Sequence, residues 1–365
     1  MERDTLSFRQ LMALLWGALL APAAQLLPGA GGEYGVRGAL MIFAAGGVLA
    51  LSGCLCAALC RGGLAKGLKE TMPGWLGTAL LYLYIIWLEV LLILWLRQSA
   101  RRLMGAGERD GAAWFFLVVL AGMALWMSRR ELGTLGRTAQ ILLCALVVCG
   151  GGVLLLALGQ VRSENLLPMQ AWSIEAGIGA GMPGLEMVGY GLFAPFLLGE
   201  ENRAPARSWI RWVLVWCGAL ALMQTVVVGC FGGALTRRLP APFFQLAKSV
   251  GVEGAFQRIE SVVSAVWAFA DLLLLSALLW AQGEIGRVLW PNSPPGSTPA
   301  AAALTAGAAA LALFSPNLAR WAGISALLPF GGLLLGVFVP LSAYLIKRGG
   351  GTKGKNGTSC VSKQG

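Results

Sequence analysis

The sequence contains no histidine, and this absence excludes several kinds of chemistry. Without histidine there is no imidazole general base, no histidine-ligated metal and no serine–histidine triad. The eight cysteines are scattered and form no CxxC pair, so a zinc site is not expected. GxSxG, P-loop and HExxH sequences are absent as well. The sequence therefore predicts a protein that is not an enzyme and that carries no cofactor and no metal.

Charged side chains are scarce, at 12% of the residues, whereas 57% of the residues are hydrophobic. Soluble proteins average about 25% charged residues, so this composition predicts an integral membrane protein. The apolar runs are continuous and about 20 residues long, which predicts transmembrane helices rather than the short alternating strands of a β-barrel. The net charge is +11, but Lys and Arg lie in the links and the tail, so nucleic-acid binding is not expected.

Hydrophobicity predicts ten membrane spans separated by mostly short links. We expect one transmembrane domain over residues 1–348 and a disordered, basic tail over 349–365. Ten spans place both termini on one side, and the basic tail favours the cytoplasm, although the arginines of the link at 97–109 argue against it. The predicted spans are 7–29, 36–60, 75–99, 111–128, 138–160, 178–199, 208–235, 258–283, 298–315 and 318–346.

Spans 1 and 6 are interrupted by glycine and proline. Span 1 contains Gly17 and Pro22, and span 6 contains six glycines together with Pro183 and Pro195. Proline removes a backbone hydrogen bond and glycine weakens a helix, so we expect both spans to unwind within the membrane. Two ordinary proline kinks are the alternative.

The interrupted spans occupy matching positions when the chain is divided into two sets of five spans. The first set covers about 7–160, the second covers about 178–346, and each begins with an interrupted span. This arrangement is typical of an inverted-repeat transporter whose ligand site lies at the breaks.

Three acids lie within apolar spans: Glu89, Glu186 and Asp271. The sequence places no Lys or Arg at a comparable depth. We therefore expect that the acids are protonated, that a cation or an ammonium group neutralises them, or that buried water hydrates them. The alternative is that each is a neutral acid hydrogen-bonded to a neighbouring helix. Asp271 shares a helical face with Ser264, and Trp267 lies at the edge of that face. This pattern indicates that one face of span 8 lines a functional site.

Short motifs occur in a defined order along nearly all of the chain. Together they resemble the B subunit of spore germinant receptors, a family within the amino acid–polyamine–organocation transporter superfamily. The motifs are FRQL at 8–11, GALLAP at 17–22, ELGTLGRTAQIL at 131–142, ENLLPM at 164–169, GLEMVGYGLFAPFL at 184–197, PFFQLAK at 242–248 and FQRIE at 256–260, followed by Trp267.

The resemblance implies an all-α, LeuT-like 5+5 inverted-repeat bundle with helices 1 and 6 broken. It also implies a multi-pass protein of the spore inner membrane that binds a small germinant, often an amino acid. Such a subunit acts with an A subunit and a lipoprotein C subunit. The family's pocket is lined by helices 1, 3, 6 and 8, the helices that carry the breaks and the buried acids in this sequence.

We expect the germinant to bind between the breaks in spans 1 and 6. Its carboxylate would accept hydrogen bonds from backbone N–H groups near 17–20 or 184–186, and its ammonium group would meet unwound carbonyls or one of the acids. Four further residues, on spans 3 and 8, would form the apolar sides. The expected ligand-binding residues are Gly17, Ala18, Leu19, Leu20, Tyr82, Ile86, Glu89, Pro183, Gly184, Leu185, Glu186, Trp267, Ala268 and Asp271.

Two other functions agree with the same sequence. The acids suit an ion-coupled amino-acid or polyamine permease equally well. A membrane scaffold that binds no ligand and only holds its partners together is the third possibility.

Overall fold

The computed structural model describes most of the chain as α-helix. The described residues are 6–59, 63–106, 113–168, 171, 173–199, 204–239, 241–250, 259–315, 317–318, 323–324 and 326–353.

Fifteen α-helices, numbered in chain order, make up the described part of the chain. They are α1 (Phe8–Gly31), α2 (Val36–Leu59), α3 (Leu64–Thr71), α4 (Gly74–Ala106), α5 (Ala113–Ser128), α6 (Leu132–Ala157), α7 (Ile174–Gly189), α8 (Ala194–Leu197), α9 (Ala206–Phe231), α10 (Gly233–Arg238), α11 (Pro242–Ser249), α12 (Ile259–Leu289), α13 (Ser297–Ala312), α14 (Leu328–Leu333) and α15 (Val339–Lys353).

The ten predicted spans agree with these helices. Seven helical segments in the described residues are long and apolar enough to cross a membrane, and α5 and α13 are shorter apolar helices. The interrupted pair α7 and α8 supplies the sixth span. The last span is α14, a π-helical turn at Leu334–Phe338 and α15. The all-helical, multi-pass architecture predicted from hydrophobicity is therefore confirmed.

The first span is one unbroken α-helix, which corrects the prediction of a break in helix 1. Ser7 and Gln10 form a capping box at its start, with reciprocal hydrogen bonds of 2.9 and 3.3 Å. The helix then continues through Pro22 and Pro28 to Gly31. Each proline removes only one backbone hydrogen bond, and this span is the most deeply buried of the seven. Packing on all sides therefore keeps the helix intact.

The sixth span is interrupted, but later than the sequence predicts. Helix α7 continues through Pro183 and ends at Gly189. A 3-10 turn at Tyr190–Phe193 follows, and α8 continues to Leu197. The irregular segment therefore lies about two turns beyond Pro183, where the chain passes the buried middle of α1.

Helix α1 lies at the centre of the bundle and packs against α6, α7, α9 and α12. Helix α2 packs against α7 and α9, whereas α4, α5, α12 and α13 pack against one another. This arrangement brings helices 1, 3, 6 and 8 of the ten spans together around the 3-10 turn of span 6.

Helix α11 and the C-terminal end of α15 lie outside the predicted spans. Helix α11 buries Phe243 and Phe244, and residues 251–258 lie outside the described residues. At the C-terminus, α15 extends to Lys353, beyond residue 348 where the tail was expected to begin. The tail at 354–365 lies outside the described residues.

Candidate functional site

The interruption of span 6 packs directly onto the middle of α1. A β-carbon on Gly191 would lie 3.3 Å from Leu19, 3.4 Å from Leu49 and 3.6 Å from Leu15. The absence of a side chain at Gly191 thus allows the 3-10 turn to approach α1 and α2 closely. Leu15 and Leu19 are at most 1% exposed, so side chains fill the space between the two spans.

Tyr190, the first residue of the turn, connects the interruption to α4. Its ring packs edge-on against Trp95 with 5.2 Å between ring centroids. The Trp95 indole Nε1 donates a hydrogen bond to Asp271 Oδ1 at 3.1 Å. A buried chain of contacts therefore runs from span 6 through span 3 to span 8.

Asp271 forms a buried ion pair with Arg102, which corrects the expectation that no basic residue reaches its depth. The Arg102 and Asp271 side chains are 9% and 1% exposed. Arg102 Nη1 also donates to Gln25 Oε1 at 3.3 Å. The guanidinium lies over the rings of Trp95 and Phe244, 5.6 and 5.3 Å from their centroids. Asp271 is thus neutralised by the protein itself, and an external cation is not needed there.

Arg102 was not predicted from the sequence, because hydrophobicity places the end of span 3 at residue 99. Helix α4 is 33 residues long and continues to Ala106, so Arg102 belongs to the same helix as Trp95. The two residues are seven positions apart and therefore share a helical face. Buried Ser99 lies between them on that face. This i, i+4, i+7 pattern is the signal that could have identified the ion pair.

Glu89 faces α12 and α13 rather than the interruption of span 6. Its carboxylate accepts hydrogen bonds from Gln282 Nε2 at 3.1 Å and from Thr305 Oγ1 at 2.6 Å. Neighbouring helices therefore hold Glu89, as in the alternative considered from the sequence. Tyr82 and Ile86 are 43% and 60% exposed. They lie on the outside of the bundle and do not form the predicted apolar sides of the site.

Glu186 differs from the other two acids. It is partly buried and lies four residues, about one helical turn, before Tyr190. Among the described residues, no hydrogen bond or ion pair engages its carboxylate. Of the three acids predicted from the sequence, Glu186 alone thus lacks a polar partner within the described part of the chain.

The remaining predicted residues divide between two locations. Residues 17–20 lie beside the interruption, and a β-carbon on Gly17 would lie 2.9 Å from Leu273 of α12. Residues 183–185 lie in α7, with Gly184 against Ala45 of α2. Both segments are continuous α-helix, so the backbone N–H groups of residues 17–20 and 184–186 are used within the helices. This corrects the expectation that they bind a carboxylate.

Trp267 and Ala268 lie in α12, where Trp267 packs against α11. The Trp267 ring packs against Phe243 and Phe244 of α11, with centroid distances of 4.8 and 5.4 Å. Trp267 is 1% exposed. It therefore anchors α11 on the bundle, and Ala268 is its partly buried neighbour.

Comparison with known proteins identifies the fold. No protein-family model and no curated protein sequence matches this chain. The structure is similar to the crystal structure of MhsT in complex with L-phenylalanine, with a TM-score of 0.66. The match covers 95% of this chain and 99% of the MhsT chain at 13% sequence identity. The chain therefore has an all-helical, LeuT-like fold.

Proposed function

We propose that this chain is the membrane subunit of a spore germinant receptor and that it binds a small amino acid beside the interruption of span 6. The observation that carries the proposal is Glu186, a partly buried carboxylate without a polar partner among the described residues. The order of sequence motifs supports the germination role. The similarity to a structure that contains L-phenylalanine supports an amino acid as the ligand.

The ligand's ammonium group would pair with the carboxylate of Glu186. Burying an unpaired carboxylate is costly, whereas an ammonium group at hydrogen-bonding distance offsets that cost. Asp271 is neutralised by Arg102, and Glu89 accepts two hydrogen bonds from the protein. Glu186 is therefore the acid that a cationic group would stabilise most.

The apolar part of the ligand would lie among the side chains that surround Gly191. Leu15, Leu19, Trp95 and Tyr190 are at most 4% exposed, so the ligand has to displace some of them. A ligand that binds only after this rearrangement favours the rearranged conformation. The resulting shift in population is the signal that the A and C subunits would receive at the spore inner membrane.

Thermal unfolding of the purified, full-length chain tests the ligand site. An L-amino acid that binds should stabilise the wild-type protein by about 2.7 kcal/mol at a concentration of 100 times its Kd. Glu186→Gln should abolish most of this stabilisation, whereas Glu131→Gln, at an exposed position, should preserve it. Equal stabilisation of the two variants by the same amino acid would exclude Glu186 as the ammonium partner.

A transport measurement distinguishes the receptor from the ion-coupled permease. In a permease, the acids within the spans would bind the coupled ion. The chain should be reconstituted alone in proteoliposomes and supplied with the labelled amino acid that stabilises it. A receptor subunit binds without accumulating the label, whereas uptake driven by a proton or sodium gradient identifies a permease. Stabilisation by none of the amino acids favours the scaffold.

A further inference from the structure

An apolar groove lies along the contact between the two short helices α5 and α13, on the outside of the bundle. Its volume is about 360 Å³. Gly122 and Gly307 form part of its floor, and a β-carbon on either glycine would have no other atom within 4 Å. The rims carry Trp114, Val118 and Leu304, which are 56%, 64% and 74% exposed. The groove is thus open to the outside of the bundle and is flanked by exposed apolar side chains.

One end of the groove is positively charged. The N–H of Arg129 donates to the Leu125 carbonyl at 3.2 Å, so Arg129 continues the face of α5 that lines the groove at Leu125. Its Nε lies 3.5 Å from the position of a β-carbon on Gly296, the residue before α13. The positive N-terminal end of the α13 dipole and the negative C-terminal end of the α5 dipole meet here and offset each other, so Arg129 supplies the positive charge of this end.

The neighbouring residues are typical of a membrane–water interface. The Arg130 guanidinium lies over the Trp126 ring at 4.5 Å, and Trp and Arg are common anchors at this depth. Glu131 is the nearest acid in sequence, but it is the N-cap residue of α6, which packs mainly against α1.

The lengths of the two helices place lipid headgroups close to this end. Helices α5 and α13 have 16 residues each, which corresponds to about 24 Å at 1.5 Å per residue. The hydrocarbon core of a bilayer is about 30 Å thick. A span shorter than the core draws the surrounding lipid inward, so the headgroup of a lipid in the groove would lie level with Arg129.

From this geometry we propose that the α5–α13 groove is a binding site for one anionic phospholipid. An acyl chain would occupy the slot above Gly122 and Gly307, and the phosphodiester headgroup would pair with Arg129. A second protein helix fits the groove less well, because a helix with its side chains is about 10–12 Å across and cannot enter a slot of about 360 Å³.

Native mass spectrometry of the full-length protein with added phosphatidylglycerol or phosphatidylcholine tests the site. The wild-type chain should retain one phosphatidylglycerol in preference to phosphatidylcholine. Arg129→Gln should weaken phosphatidylglycerol binding about fivefold and leave phosphatidylcholine binding unchanged. Arg211→Gln, which removes an exposed charge on α9, is the matched control and should behave like the wild type.

Filling the groove tests the acyl-chain position separately. Gly307→Leu should eliminate retention of either lipid, since the β-carbon has open space around it and the rest of the side chain would extend into the groove. Gly218→Leu, on α9 and also with open space around its β-carbon, should retain the lipid. Gly122→Leu on the facing helix repeats the test if Gly307→Leu does not fold.

Three results would overturn the proposal. The first is equal lipid retention by the Gly307→Leu and Gly218→Leu variants. The second is the lack of a preference for phosphatidylglycerol in the wild type. The third is a dimer that the Gly307→Leu substitution dissociates, which would identify a second copy of the chain as the occupant of the groove.

Discussion

Arg102 and Asp271 depend on each other because both charges are buried. Their ion pair is supported by the Trp95 hydrogen bond to Asp271 and the Gln25 hydrogen bond to Arg102. Removing one member leaves the other charge without a partner in a medium of low dielectric constant, whereas removing both does not. At the scale of single residues, we therefore assign Asp271 a role in stabilising the fold.

Asp271→Asn should destabilise the protein by about 3–5 kcal/mol, since it leaves the Arg102 guanidinium buried and unpaired. The double substitution Arg102→Met and Asp271→Leu should recover most of this loss. Both effects are measured by equilibrium unfolding in detergent. Arg237→Gln, which breaks the pair of Arg237 with Glu33 at an Arg side chain that is 67% exposed, should cost only about 0–1 kcal/mol.

A different outcome would point to a functional role for Asp271. If Asp271→Asn leaves stability unchanged but abolishes stabilisation by an L-amino acid that stabilises the wild-type protein, Asp271 binds the ligand and the ion pair opens during binding. The ligand response of this variant should therefore be measured together with its unfolding.

At the scale of the elements, the 3-10 turn after α7 depends on close packing with α1. The sequence predicts an interrupted span 6 from its glycines and prolines, and the structure contains one. It cannot predict the position of the interruption, because Pro183 is accommodated within α7 whereas Gly191 is required where α1 and α2 approach. The same argument explains why Pro22 does not break α1: packing against the surrounding helices keeps the helix continuous.

Gly191→Val should destabilise the protein by about 1–3 kcal/mol, because its side chain would crowd Leu19, Leu49 and Leu15. Gly218→Val, at a helical position with no atom within 4 Å of the β-carbon, should change stability far less. Urea or thermal unfolding of the two variants in the same detergent measures the difference. Equal losses would indicate that close packing against Leu15, Leu19 and Leu49 does not determine the cost at Gly191.

At the scale of the whole molecule, the ten spans predicted for this chain would place both termini on one side of the membrane. The excess of Lys and Arg in the tail and in several links favours the cytoplasm for that side. The anionic inner leaflet would then meet Arg129 at the end of the α5–α13 groove.

Reporter fusions test this orientation. Green fluorescent protein fused after residue 365 should fluoresce, and alkaline phosphatase at the same position should be inactive, since these reporters require the cytoplasm and the exterior, respectively. Alkaline phosphatase fused after Gln160, beyond the fifth span, should be active and serves as the control. The reverse pattern would place the termini outside and the basic end of the groove in the outer leaflet.

The sequence by itself determined that this is a helical membrane protein with ten spans, an interrupted sixth span and acids in spans 3, 6 and 8. These properties follow from the composition of each segment, because each segment that crosses the bilayer must itself be apolar and helical. Only the tertiary structure decided that Arg102 neutralises Asp271, that α12 and α13 hold Glu89, and that Glu186 lacks a polar partner within the described part of the chain. Such pairings depend on the rotation and depth of each helix relative to its neighbours, which hydrophobicity along the chain does not specify.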